Sequence, residues 1–425
     1  MVSEETAVSK HARRGSPTSG FERLLLLLSI IALPAEDHFR FVPGFSLLFI
    51  AFGTMAIYVV MQRSSELFRI LSHPVFLAAY AFLFVGSLIE LTHDNNSYYD
   101  LSRIAQMIVG AILVASMCRD LPALKMACHG YLIAGLWLAI LLFLTSYGVL
   151  NQAGTLNFHE ASKLREMAFE GNPLQANLNH MAFGAGQATV VALSWALTAR
   201  APLFRNFYIG AGLICMVAAF LPLSRGGVVI AIASCASVMY AFGLQRGKAI
   251  LITVLLGAAI LIWVPQSVWS RMTFSFEEHD GKREGRALVY QAAIDHLPEY
   301  IFTGVGAGNF WSSWGRRSEF AGQGHFRGAH NCFIQVTLYW GIIGLMAFLL
   351  VFWCAYRCVP RFCNREAAAL SLLGIGASCL LFSMVVHTLY AKEFSLGLGL
   401  LVGAHCWIWP QGIVYPVSGI RRARL

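Results

Sequence analysis

The chain has 425 residues, of which 57% are hydrophobic and 12% charged, against about 25% charged in ordinary soluble domains. No soluble interior could bury that much apolar surface, so composition excludes a water-soluble enzyme of about three domains, a disordered chain and a secreted disulfide scaffold. What remains is an all-α polytopic membrane protein. Its formal net charge of +9 has to be judged by where the cations fall.

A helix needs about 20 apolar residues to cross a bilayer core. After a polar cytoplasmic tail over 1–22, runs of that kind fall at 23–35, 43–62, 75–93, 101–118, 127–148, 174–199, 207–223, 226–243, 249–265, 331–356, 367–388 and 394–410, about twelve spans. The first is short and interrupted by Pro34, Glu36 and Asp37, as in a tilted or re-entrant segment. The Lys- and Arg-containing tail leads straight into further spans, unlike a cleaved signal peptide. Nine runs thus occupy 23–264, a large external loop 265–329, three more runs 330–410 and a basic cytoplasmic tail 411–425.

Lys and Arg in short loops set orientation. One face collects 18 of the 31 cations with six acids, among them Arg63, Arg69, Arg119, Lys125, Arg357 and Arg421; the other has 13 cations and 16 acids. Both termini are therefore expected in the cytoplasm, and the positive excess is a topology signal, not a nucleic-acid surface. The opposite face carries the long polar loops, 147–173 and 265–328. None of the ten cysteines lies in either loop, which argues against a disulfide-stapled external domain, and no Cys/His spacing points to zinc. No metal or cofactor is expected.

Ionisable groups near the membrane are functional candidates by default. Arg225 sits in the tight link Leu221-Pro-Leu-Ser-Arg-Gly-Gly227. A turn needs the Ser224 and Gly226-Gly227 positions but no arginine; Arg225 reads either as a side chain snorkelling to the external headgroups or as an anion site at the next helix start. In the large loop, Arg286 opens a run to Tyr300 with Ala287, Leu288, Tyr290, Ala293, Ile294 and Leu297 apolar at three-to-four spacing. A helix start beside an arginine attracts phosphate. The stretch Phe302-Thr-Gly-Val-Gly-Ala-Gly-Asn-Phe310 lacks the flanking strand of a dinucleotide fold; Gly304 and Gly306 fit a tight turn that admits a headgroup to the backbone. His330-Asn331 lies where the loop re-enters the membrane, and imidazole is well placed to move a proton near neutral pH. His325 and His387 are lesser candidates. Near the start of the sixth run the amides of Asn172, Asn177 and Asn179, followed by His180, suit sugar hydroxyls.

Taken in order, Gly171-Asn-Pro173 with its Asn-rich continuation, Ser224-Arg-Gly-Gly227, Arg286 ahead of Gly304-Val-Gly-Ala-Gly-Asn-Phe310, and His330-Asn331 resemble the O-antigen ligase and polymerase superfamily of bacterial membrane glycosyltransferases. The family's Asn-Pro-Asn is here Asn172-Pro-Leu174. The resemblance implies a GT-C-type helical fold in the bacterial inner membrane and metal-independent transfer of a glycan from undecaprenyl pyrophosphate. The acceptor would be a hydroxyl of lipid A–core oligosaccharide at the periplasmic face, in lipopolysaccharide biosynthesis. It implies His330 as catalytic base and Arg225 and Arg286 as pyrophosphate ligands, with Ser224, Asn172, Asn177, Gly304, Gly306 and Asn331 supporting substrate. A polymerase would use a second carrier-linked repeat unit, and a protein O-oligosaccharyltransferase often carries a further soluble C-terminal region. A transporter of lipid-linked anions is the reading from another class; it would place charge mid-membrane and show inverted repeats.

Overall fold

The computed structural model describes residues 17–33, 40–42, 45–93, 98–153, 160, 164, 178–243, 262–273, 286–314, 329–360, 366–385, 389 and 391–409. Its helices, in chain order, are α1 Gly20–Ala32, α2 Leu47–Gln62, α3 Ser64–Leu71, α4 Pro74–Glu90, α5 Tyr98–Met117, α6 Leu121–Leu142, α7 Leu178–Thr198, α8 Pro202–Phe220 and α9 Arg225–Phe242. They continue with α10 Gln266–Thr273, α11 Arg286–Asp295, α12 Leu297–Tyr300, α13 Phe310–Ser313, α14 Cys332–Cys358, α15 Ala367–Val385 and α16 Lys392–Gly403. A π turn at Phe143–Tyr147 carries α6 on to Gln152, and another at Ala404–Ile408 ends α16. A small hairpin, β1 Arg40–Val42 with β2 Phe45–Ser46, joins α1 to α2.

Among the described residues seven helices are long and apolar enough to span: α5, α6 through Gln152, α7, α8, α9, α14 and α15. The pair α2–α3, bent by 110° at Arg63, has the length and composition of an eighth span broken in two or of a re-entrant loop. The chain is therefore an all-α polytopic membrane protein; among the described residues not every one of the twelve hydropathy runs is a helix of full spanning length. α1 has 13 residues and α4 has 17, about 20 and 25 Å at 1.5 Å per residue. α16 needs its π turn to gain length, and most of 249–265 lies outside the described residues. Many large apolar side chains are exposed on the spans, among them Ile57, Val60, Ile140, Val229 and Met346, so the bundle offers lipid much of the chemistry that it packs inside.

α7 is the central pillar, packed against α6, α8, α9 and α15. It approaches them through small residues, as membrane helices do when lipid removes the hydrophobic drive to associate. A Cβ on Gly135 of α6 would stand 2.0 Å from the Ala188 methyl, and one on Gly374 of α15 2.0 Å from Val190.

The bundle has two polar ends. At one, the Ser19–Glu22 capping box starts α1, and the same Glu22 carboxylate, 0% exposed, meets Arg63 at 2.9 Å and Arg119 at 2.7 Å. Arg119 also pairs with Glu66 at 2.6 Å, and Asp120 with Arg23 at 2.9 Å. These contacts fasten α1, the α2–α3 bend and the α5–α6 link together. Burial alone would raise the Glu22 carboxyl; hydrogen bonds from Arg63 and the Ser19 N–H, with the charge of Arg119, outweigh it and hold it below the usual range. At Asp120 burial is likewise overcome by the Ala123 and Thr18 N–H groups and Arg23.

Removing one partner of a buried pair strands the other charge. Arg119→Ala is expected to cost about 3–5 kcal/mol, against under about 1 kcal/mol for Lys125→Ala at the more exposed Lys125–Glu366 pair; thermal unfolding in detergent measures both. Because these carboxyls are lowered in the native state, their stabilisation is complete above about pH 4 and disappears as pH falls through the lowered native values. The wild type should therefore lose more stability on acidification than Glu22→Gln does.

Candidate functional site

At the other end of the bundle α8 turns into α9 over Leu221–Ser224. Leu223 takes a left-handed backbone, φ 56°, although it is a buried, branched-chain residue. That turn aims Ser224 as the N-cap of α9: its Oγ accepts from the Gly227 N–H at 3.2 Å and donates to Asn179 Oδ1 at 2.9 Å. Arg225 follows as the first residue of the helix. The adjacent His180 on α7 bonds Glu393 Oε1 of α16 at 3.0 Å and packs edge-on against Phe382 of α15, which stacks on Phe183 at 4.0 Å.

His330 is also left-handed, φ 48°. Among the described residues Leu223 and His330 are the two non-glycines with positive φ. The strain at His330 is held from both sides. Ala329 N–H donates to Gln335 Oε1 at 3.1 Å. Asn331 caps α14, its Oδ1 accepting from Phe333 and Ile334 N–H, and its Nδ2 reaches the Met384 carbonyl of α15 at 3.1 Å. Tyr290 of α11 donates to the His330 carbonyl at 3.5 Å. Arg286 begins that same helix, about 6 Å of rise before Tyr290; its side chain is outside the described residues.

A continuous set of contacts therefore runs around this end: Arg225 and Ser224 to Asn179 and His180, on to Phe382–Met384, then Asn331 and His330, then Tyr290 on the helix that Arg286 opens. Sequence reasoning placed these residues on one face, and the structure brings their backbones to one end. Asn172, Asn177, His325 and His387 lie outside the described residues.

Gly304 and Gly306 lie close by with a different neighbour from the one expected. α14 breaks at Trp340–Gly341, where Gly341 has φ 63° and ψ −162°. Segment 301–306 pairs with that break: Val305 N–H to Leu338 O at 2.7 Å, Gly306 N–H to Tyr339 O at 3.0 Å, and Ile342 N–H to Ile301 O at 2.6 Å. A Cβ on Gly304 would stand 2.2 Å from Tyr339 O, and one on Gly341 2.2 Å from Phe302 O. What approaches the Gly304 backbone is the protein's own helix. Glu90, 1% exposed, closes the joint, accepting from Ala307 N–H at 2.5 Å and Trp340 Nε1–H at 2.8 Å.

The predicted amphipathic run 286–300 divides at His296, because Pro298 fits only the first turn of a new helix. Its buried face is Ala292, Ala293 and Tyr300, whereas Ile294 points outward. Glu90, Glu393, Gln335 and the Trp340–Gly341 pair were not singled out from the sequence. Glu90 and Glu393 had a readable signal, a carboxylate inside or beside an apolar run; the break in α14 had only one Trp-Gly dipeptide.

Residues 210–349 match the family model described as O-Antigen ligase. No curated protein matches the chain. The matched third holds Arg225, Arg286, Gly304, Gly306, His330 and Asn331, and leaves out the amides before α7 and Glu90. The match supports the O-antigen ligase superfamily and a part in O-antigen-related glycan transfer.

Gly341→Ala and Gly304→Ala should each lower the thermal midpoint and abolish activity, because a methyl meets a carbonyl that cannot move without undoing the pairing. Gly53→Ala on α2, where a Cβ meets nothing within 4 Å, should be neutral or slightly stabilising. Unfolding curves of the three variants in detergent test the assignment. Glu90→Ala, which orphans buried N–H groups, should cost about 1–3 kcal/mol for each one left unpaired.

Proposed function

We propose that this protein, whose residues 210–349 carry the O-antigen ligase domain, transfers a glycan from undecaprenyl pyrophosphate to a hydroxyl of lipid A–core oligosaccharide. In this reading the protein is in the bacterial inner membrane and the His330 end faces the periplasm. The orientation rests on the Lys/Arg asymmetry, which puts the Glu22–Arg63–Arg119 end in the cytoplasm.

The observation that carries the reading is the coincidence of backbone strain with chemistry. Non-glycine residues in the left-handed region cost about 1–3 kcal/mol and persist where the surroundings over-determine them, commonly at active sites. Here one such residue is His330 and the other positions the Ser224–Arg225 turn. A prenyl pyrophosphate must keep its tail in lipid and its anionic head at the interface, which is where a helix start bearing Arg225 would receive it. Arg286, at the start of α11, approaches from the loop.

In the proposed reaction the acceptor oxygen attacks the anomeric carbon and the bond from that carbon to the pyrophosphate oxygen breaks, with inversion. His330 takes the hydroxyl proton. Arg225 and Arg286 stabilise the negative charge gathering on the departing pyrophosphate, a role for donors aimed at developing charge. Ser224 and Asn331 act through position: one caps α9 beneath Arg225, the other caps α14 beside His330.

The deciding experiment reconstitutes the protein with purified carrier-linked glycan and lipid A–core. Label appearing on the core supports a ligase; a lengthened carrier-linked chain makes it a polymerase; unmodified glycan would favour a transporter. Loss of a general base costs about 10²–10⁴-fold, so His330→Asn, which tolerates the left-handed backbone, should fall by that factor while eluting and melting like wild type. Transfer at the wild-type rate in His330→Asn, or normal donor use in both Arg225→Ala and Arg286→Ala, refutes the mechanism.

A further inference from the structure

At the Glu22 end, about 25 Å along α4 from Glu90, three side chains that no sequence spacing connects come together. His73, 8% exposed, is the N-cap of α4; Cys358 is the last residue of α14; His405 sits in the π turn that ends α16. His73 Nε2 and His405 Nδ1 are 3.2 Å apart, and Cys358 Sγ is 4.0 Å from His73 Nε2. All three ligand atoms lie within 4.8 Å of one another. A tetrahedral zinc ion, with Zn–N of 2.0–2.1 Å and Zn–S of 2.3 Å, spaces two nitrogens about 3.3 Å apart and a nitrogen and a sulfur about 3.6 Å. The imidazole pair already has the required spacing, and the thiol has less than about half an ångström to close on His73.

We propose that His73, Cys358 and His405 bind a thiophilic divalent transition metal, zinc foremost, with the fourth position left to water. Two imidazoles and a thiolate suit zinc, which takes such N/S sets readily. Binding turns the thiol into a thiolate and releases its proton, which offsets one charge of the incoming ion beside Arg69. That guanidinium is engaged elsewhere, donating to the Cys406 carbonyl at 2.8 Å and lying 4.4 Å over the Trp407 ring. The π turn is what brings His405 round to the other two; such turns recur at functional sites. The ion would join the ends of α4, α14 and α16, the three helices whose opposite ends carry Glu90, His330 and Glu393.

The test uses the full chain in detergent, stripped with a chelator and titrated with Zn²⁺ or Co²⁺ alone. Wild type should take up about one Zn²⁺ per chain with a rise in thermal midpoint, and Co²⁺ should give a thiolate charge-transfer band in the near ultraviolet. Cys358→Ser, close in size to the native side chain, should lose the band and the thermal shift. His405→Ala should weaken Zn²⁺ binding by at least about ten-fold. Cys354→Ser, one helical turn back, should keep both signals. Folded wild type that takes up no stoichiometric ion, or a band that survives Cys358→Ser, overturns the site. Metal content and absorbance do not depend on glycan transfer, so this result stands apart from the functional reading.

Discussion

A helix interrupted inside a membrane has a problem that water would solve and lipid does not: its freed N–H and C=O groups must find partners within the protein. α14 is interrupted at Trp340–Gly341, and the carbonyls of Leu338 and Tyr339 and the N–H of Ile342 are satisfied by segment 301–306. Much follows from that repair. The segment must run against the helix backbone, so side chains are excluded at Gly304 and Gly341. The turn that follows exposes the Ala307 and Gly308 N–H groups, and Glu90 receives them together with the Trp340 indole. Breaking α14 sets the direction of its first turns, and His330 stands at the head of those turns.

Strain at Leu223 and His330 is stable because each is enclosed by contacts that a relaxed backbone would lose. At His330 these come from three other elements: Gln335 on the following helix, Met384 on α15 through Asn331, and Tyr290 on α11. At Leu223 the residue is buried, its N–H bonds the Phe220 carbonyl at 2.9 Å, and the next residue is fixed by Asn179. A backbone held this way fixes the point from which the side chain leaves the chain, and so narrows the space that the His330 imidazole can reach.

Much of this was readable from the chain. Apolar runs identified the membrane class, and residue types that a turn does not need, Arg225 above all, pointed to candidates whose backbones the structure gathers at one end of the bundle. What stayed hidden has a common physical cause: contacts between residues far apart in sequence leave no local pattern. Glu90 and Trp340 are 250 positions apart, and His73 and His405 are 332 apart, so neither pairing has a spacing to read. Glycine told that something approaches closely at 304 but not what, and the nearest backbone proved to be α14. Among the described residues seven helices, or eight with the bent pair α2–α3, have spanning length, and hydropathy alone does not tell where a bend such as that at Arg63 divides an apolar run.

The two halves of the candidate site ride on different hydrophobic clusters. Arg225 and Ser224 belong with α7, α9 and α15, whose buried side chains, Phe183, Val228 and Phe382 among them, form one core. His330 belongs with α4, α12 and α14, where Tyr300, Cys332 and Trp340 form another. A polar bond between those bodies at this end is Asn331 Nδ2 to the Met384 carbonyl, made by the residue that also caps α14. Asn331 therefore does two things with one amide: its oxygen sets where α14 begins, and its nitrogen sets where that beginning lies relative to α15. Since α15 packs on α7 through the Phe183–Phe382 stack, and α7 holds Ser224 through Asn179, a short series of side-chain contacts links the start of α14 to the start of α9.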